Sequence, residues 1–223
     1  MMTQPKNQNP NGVKGNAKSS SRTSPGGRLS TQQGTFDRHP ATACNTRENM
    51  KIATWNVRTM YQAGKLENIV QETTRMGIDI MGLAEVRWLQ SGKIVCSDHT
   101  LIYSGHKKDH KHGVGLLLSK VVSKSVLGYY ALSDRILLVR IHGKPFNLSI
   151  IQVYAPTSAS SEEEIEGFYS DLEDAYKKCG SQDIVIVMGD LNAKVGGEQD
   201  PLQDIVGKHG LGERNDRGDL WVD

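Results

Sequence analysis

A chain of 223 residues has room for one large domain or two small ones, because domains run at about 100 to 200 residues. Its hydrophobic content of 37% and mean hydropathy of −0.48 are low for a fully compact protein, so part of the chain is expected to stay outside the core. The formal charge of +2 is nearly neutral, and there is no apolar run of the ~18 residues that a membrane helix needs.

Residues 1–50 are rich in Asn, Gln, Ser, Thr, Gly and Pro and show no apolar periodicity. Such a segment buries too little surface to offset the entropy of ordering, and it reads as a disordered tail. It carries 7 Lys or Arg against 2 Asp or Glu, whereas the remaining 173 residues carry 20 against 23. The small net charge therefore hides a basic tail on a mildly acidic body. The tail is either simply solvated or an arm for an anionic surface. Without a secretory h-region the chain reads as soluble and intracellular, with no membrane contact. Cys44, Cys96 and Cys179 are odd in number and widely spaced, so they form neither a zinc pattern nor a disulfide framework. Asn147-Leu148-Ser149 matches a glycosylation pattern but falls inside an expected strand.

From Lys51 the character changes, and residues 51–223 read as the body. KIATWNV is a short strand, followed by a helix whose Leu66, Ile69, Val70 and Thr73 share one face and whose end is capped at Gly77. IDIMGLAE, from Ile78 to Glu85, is a continuous apolar run of the kind that suits a strand covered on both faces. Together these make a β-α-β unit. The middle is strand-rich, with TLIYSG, GVGLLLSK, DRILLVRI and FNLSIIQVYAP joined by short connections that favour antiparallel neighbours. A second helix starts at Ser160 or Ser161, where Ser161 and Glu164 have capping-box spacing. Its expected inner face is Ile165, Phe168, Leu172 and Tyr176, and its acidic outer face reads as a solvated surface. DIVIVMGDLN, from Asp183 to Asn192, is the last clear strand. The pattern is a layered mixed α/β domain.

Polar residues stand where the apolar runs stop. Asn56 ends the first strand, Glu85 the second, Tyr154 a long middle strand, and Asp190 with Asn192 the last. In layered α/β folds ligands gather outside the carboxyl ends of strands. Glu85 and Asp190 are hard oxygen donors of the type that holds Mg²⁺ together with water and phosphate oxygen. Asn56 and Asn192 can both donate and accept, which suits orienting a phosphate or a water. Tyr154 offers a hydroxyl to charge developing on phosphorus. Each residue also has a plain reading: GDLN as a turn, Tyr154 as a space filler and Trp55 as core rather than a base-stacking platform.

In this order, KIATWNVRTM, LAEVRW, VYAPTS and VMGDLNAKVG resemble the endonuclease/exonuclease/phosphatase superfamily over about Met50 to Gly218. More narrowly they are similar to the apurinic-type endonuclease domain of RTE/BovB-like non-LTR retrotransposons and to the craniofacial development protein 2-like group. The resemblance implies a four-layered α/β sandwich of the DNase I-like kind and Mg²⁺-dependent hydrolysis of phosphodiesters, with Mn²⁺ as a second possible metal. It implies DNA as partner and a nuclear location. It assigns Glu85 and its neighbour Asn56 to the metal, and Tyr154, Asp190 and Asn192 to catalysis as transition-state donor, water-orienting group and phosphate ligand. Asn56 and Asn192, with Arg58, are also expected on the substrate. Relatives with broader substrate ranges carry an aspartate where this chain has Arg58, a departure that weakens any second metal contact. Arg58 and Arg87 read either as contacts to the DNA backbone or as surface salt bridges.

The family completes its site with a C-terminal aspartate-histidine pair, usually preceded by a serine, and no such sequence follows Asn192. His209 in GKHGLGERNDRG resembles a family loop, and His110 and His112 in HKKDHKHG read as solvated surface. The domain is accordingly expected to be incomplete at its C-terminal end, with an exposed apolar sheet edge. Three functional readings follow: an endonuclease, an inactive remnant that binds metal, nucleic acid or a partner, and a phosphatase acting on small phosphoesters.

Overall fold

The computed structural model describes residues 32–33, 43–45, 49–196 and 212–222. Its strands are β1 (Gln32–Gln33), β2 (Cys44–Asn45), β3 (Ile52–Asn56), β4 (Ile80–Ala84), β5 (Ser91–Cys96), β6 (His99–Ser104), β7 (Val114–Leu118), β8 (Val126–Ser133), β9 (Ile136–Ile141), β10 (Gly143–Lys144), β11 (Leu148–Tyr154) and β12 (Ile184–Asp190). The helices are α1 (Lys65–Met76), α2 (Lys120–Ser123), α3 (Glu162–Lys177) and α4 (Asp216–Val222). Two five-stranded sheets result, in the orders β3-β4-β7-β6-β5 and β1-β8-β9-β11-β12, with β10-β2 as a small third sheet.

Side-chain alternation along the strands builds the layers. Ile80, Ile102, Leu116 and Leu118 of one sheet meet Leu137, Val139, Leu148 and Ile150 of the other in the central core. The opposite faces are covered by helices: Leu66, Ile69 and Val70 of α1 pack on Met81, Leu83, Leu101 and Leu117. Phe168 and Ala175 of α3 pack on Ile136, Leu138, Ile151 and Val153. The order helix, sheet, sheet, helix is the expected four-layered α/β sandwich. Every residue of β4 is buried, in keeping with its unbroken apolar run.

Local signals place the helices. Leu66, Ile69, Val70 and Thr73 are the buried residues of α1, and the Gly77 N–H closes it on the carbonyls of Thr73 and Thr74. Ser161 caps α3 by accepting from the Glu164 N–H at 3.3 Å. One expected inner-face residue is corrected. Tyr176 is 61% exposed, and Ala175 is fully buried in its place. The stripe continues at a spacing of three from Leu172, where a methyl group fits against the sheet and a phenol does not.

Two short segments before residue 50 are paired. Gln32–Gln33 pairs antiparallel with β8, and Cys44–Asn45 pairs parallel with β10, with Cys44 buried in the central core. Most of the tail lies outside the described residues, as does His209.

Two parallel pairs position the candidate site. β3 runs parallel to β4, and β11 parallel to β12, so each sheet contributes two neighbouring carboxyl ends. β3 and β12 are the edge strands of their sheets and lie against each other, exposing Trp55, Ile184 and Val187. At the amino end of β12, Asp183 accepts from Ser149 Oγ at 2.6 Å, Arg140 Nε at 2.8 Å and the Gly180 N–H at 3.1 Å. That cluster anchors the strand at the end away from Asp190. Among the described residues no helix is long and apolar enough to cross a membrane.

Leu116 is fully enclosed between the sheets. Leu116→Ala is expected to cost about 2–5 kcal/mol, read as a lower urea midpoint with an unchanged slope.

Candidate active site

The carboxyl ends of β3, β4, β11 and β12 converge. In the parallel registers Asn56 is opposite Ala84, the residue before Glu85, and Tyr154 is opposite Asp190. The Asn56 amide nitrogen donates to Glu85 Oε1 at 2.9 Å and to Asp190 Oδ2 at 2.8 Å, crossing from one sheet to the other. The Tyr154 hydroxyl donates to Glu85 Oε1 at 3.2 Å, a second link between sheets. Glu85, Asn56, Asp190, Asn192 and Tyr154 therefore form one cluster. Arg58 is exposed beside it, and its backbone N–H donates to Asn56 Oδ1 at 3.0 Å. With both ends of its amide engaged, Asn56 is fixed in orientation.

Glu85 Oε2 accepts from Arg87 Nη2 at 2.6 Å, so Arg87 forms the salt bridge that was one of its two readings. Burial raises the Glu85 pKa, but hydrogen bonds from Asn56, Arg87 and Tyr154 outweigh it and hold the carboxyl below its ordinary range. Tyr154 moves the other way. Burial and then the Glu85 charge push its phenol up, keeping it a proton donor at neutral pH. Asp190 Oδ1 accepts from the Asn192 N–H at 3.2 Å, and Asn192 Nδ2 donates to the Ala155 carbonyl at 2.8 Å. Gly189 and Asp190 thus belong to β12, and the Asx-type contact of Asp190 turns Asn192 back toward Ala155 at the end of β11. Gly189, at φ 144, is required here, since a Cβ would overlap the Val153 carbonyl oxygen.

The surrounding loops hold an unusual concentration of left-handed backbone in residues other than glycine. Arg58 (φ 50), Thr59 (98), Glu85 (57), Arg87 (55), His112 (51) and Asn192 (46) all take it. Each such conformation costs on the order of 1–3 kcal/mol, and clusters of them mark functional sites.

His112 was missed. Read as solvated surface, it is half-buried instead and held on both ring nitrogens, with Nδ1 2.9 Å from Asp134 Oδ2 and Nε2 3.0 Å from Arg135 Nη2. Arg135 also donates to the Tyr154 carbonyl at 3.2 Å, and its guanidinium lies 5.3 Å from the Tyr154 ring centroid. The Asp-Arg pair that opens DRILLVRI, opposite a Lys- and His-rich loop, was the available signal. His110 is exposed as expected, but it is ordered edge-on against Tyr61, with ring centroids 4.7 Å apart.

Residues 53–218 match the sequence pattern of the Endonuclease/Exonuclease/phosphatase family. The chain belongs to that family. Craniofacial development protein 2 of Bos taurus is 41% identical over 172 residues, covering 77% of this chain and 28% of the relative. Its counterpart in Tragulus javanicus is 39% identical over 177 residues, covering 79% and 30%. The chain thus spans less than a third of the length of these relatives. The endonuclease domain of a telomere-specific non-LTR retrotransposon superposes with a TM-score of 0.52 at 16% identity, over 77% of this chain and 67% of that one. The catalytic domain of Xenopus laevis APE2 gives 0.51 at 16% identity, over 68% and 62%. An AP endonuclease from Leishmania major gives 0.50 at 14%, over 66% and 56%. These likenesses establish the DNase I-like fold of this family member.

The Glu85 contacts favour its charged form, so its pKa is lower folded than unfolded. The stabilisation is complete above the ordinary glutamate range and is lost as pH falls through the depressed folded value. Urea unfolding of Glu85→Gln beside the parent is expected to show the widest gap near neutrality, closing as pH drops below about 4. A gap independent of pH would assign no stabilising role to the charge.

Proposed function

We propose that this chain hydrolyses phosphodiester bonds of DNA with Mg²⁺ or Mn²⁺, as an endonuclease that nicks the duplex or acts at apurinic sites. The observation that carries this reading is the Asn56 amide joining Glu85 and Asp190 across two sheets while Tyr154 donates to the same Glu85 oxygen. Two carboxylates within one amide's reach suit Mg²⁺, which takes one or two carboxylates and completes its octahedron with water and phosphate oxygen. The described residues gather no group of three or more His, Cys, Asp or Glu, and this donor set does not call for one.

In this reading Glu85 holds the metal, with Asn56 beside it at the metal and the phosphate. The bound ion supplies Lewis-acid polarisation of a phosphoryl oxygen. Asp190 orients the attacking water and takes its proton. Tyr154, protonated at neutral pH, has a single O–H, held on Glu85 in the resting site, and turns it to charge developing on the phosphoryl oxygens once Glu85 is committed to the metal. Asn192 meets the scissile phosphate from the β12 side. The exposed Arg58 meets a flanking backbone phosphate, a contact that adds affinity without sequence preference. Work on DNA implies a nuclear location.

Supercoiled plasmid incubated with Mg²⁺ is expected to relax to the open circle. EDTA should abolish this, and Glu85→Ala should slow it by about 100-fold or more. Retention of plasmid on the parent chain with no nicking at any metal concentration would replace the enzyme by the inactive binding protein.

A further inference from the structure

Gln152 is an anomaly in the core between the sheets. It lies on the face of β11 that carries Leu148, Ile150 and Tyr154 toward the other sheet, and it is fully buried. Its Nε2 donates to the Leu83 carbonyl of β4 at 3.3 Å and stands 3.5 Å from the Val153 carbonyl. Among the described residues its buried Oε1 has no hydrogen-bond partner. Leucine or methionine would fill a similar volume with no orphaned oxygen, so packing alone does not explain the amide.

β4 is shaped to receive it. A Cβ added at Gly82 would overlap Gln152 Oε1 and stand 2.6 Å from Met188 Cε. The absent side chain lets the amide lie against the β4 backbone, so the two sheets approach through Gln152 and Gly82. The placement along the strands is regular. Gln152 precedes Tyr154 by two residues, and Leu83 precedes Glu85 by two. The Gln152 to Leu83 hydrogen bond is therefore the cross-sheet link immediately behind the Tyr154 to Glu85 contact at 3.2 Å.

We propose that Gln152, seated against Gly82, is a positioning residue that sets the separation of β4 and β11 behind the site and so brings the Tyr154 hydroxyl onto the Glu85 carboxylate. Its consequence for metal binding rests on the endonuclease reading; its consequence for local order does not. An ordinary core residue and a positioning residue differ in one respect. Replacing the former changes stability throughout the domain, whereas replacing the latter loosens the site end and leaves global stability intact.

The test uses the full chain with Gln152→Leu and Gln152→Met. The urea midpoint of both variants is expected to equal or exceed that of the parent. Amide exchange should quicken by about tenfold at Val86, Tyr154 and Ala155, whose N–H groups bond Gly113, Arg135 and Asp190 at the site end. Amides at the amino ends of β4 and β11 should exchange as in the parent. Mg²⁺ affinity by calorimetry should fall by about 10- to 100-fold, the usual consequence of loosening an outer-shell contact, here that of Tyr154 on Glu85. Parent-like exchange at these three amides in both variants would overturn the proposal, as would failure of both to fold, which would make Gln152 a residue of general stability. Absence of Mg²⁺ binding by the parent would instead overturn the metal reading, and exchange would still decide the positioning role.

Discussion

The site depends on one amide. Glu85 and Asp190 come from different sheets, and two carboxylates approaching a common point repel each other. Asn56 Nδ2 donates one hydrogen to each, so the group that separates the charges also joins the sheets. This works only because β3 and β12 are edge strands on the same side and a side chain at the end of one reaches the end of the other. The rest of the topology meets that requirement. α1 returns the chain so that β4 lies parallel to β3, α3 does the same for β12 beside β11, and the Asp183 cluster fixes the far end of β12.

The loops that carry these residues are costly, and they are held by one another. Val57 and Thr59 donate to the carbonyls of Ala84 and Glu85, Met60 donates to Val86, and Val86 and Arg87 donate to Gly113 and His112. Trp88 Nε1 adds a bond to the Met60 carbonyl at 2.9 Å. Three loops thus form a continuous backbone network around left-handed residues that no single turn would hold. Such over-determination is what allows strained backbone to persist at a functional site.

Much of this was legible in the sequence, because polar residues at the ends of apolar runs survive the loss of three-dimensional information. Asn56, Glu85, Tyr154 and Asp190 each declare a strand end, and the helical spacing in α1 declares a buried stripe. Pairing across the sheets was not legible, since nothing local states that Asn56 meets Asp190. Besides the two-residue strands β1, β2 and β10, two longer strands also escaped. β5 (SGKIVC) is an edge strand with Ile94 and Val95 exposed, so it lacks the apolar run that marks a covered strand. β8 (VLGYYALS) contains two register shifts, and each breaks the alternation on which a strand is recognised. His112 was obscured by its sequence neighbours. A lysine-rich loop reads as solvent-facing, and the aspartate that holds this histidine is 22 residues away.

The two partners of His112 also limit what it can do. Arg135 has only donors, so His112 Nε2 must present its lone pair, and Nδ1 then carries the proton that it donates to Asp134. Burial works against the Asp134 charge, but the His112 contact outweighs it and keeps the carboxyl below its ordinary range. The aspartate and imidazole have the pairing of a catalytic dyad, yet the nitrogen that would take a proton is already occupied by a guanidinium. The dyad is therefore a brace: it orients Arg135, and Arg135 holds the Tyr154 carbonyl and covers the phenol ring. In the proposed reaction proton removal therefore falls to Asp190, with Tyr154 as a hydrogen-bond donor, the groups that the Asn56 and Gln152 links place beside Glu85.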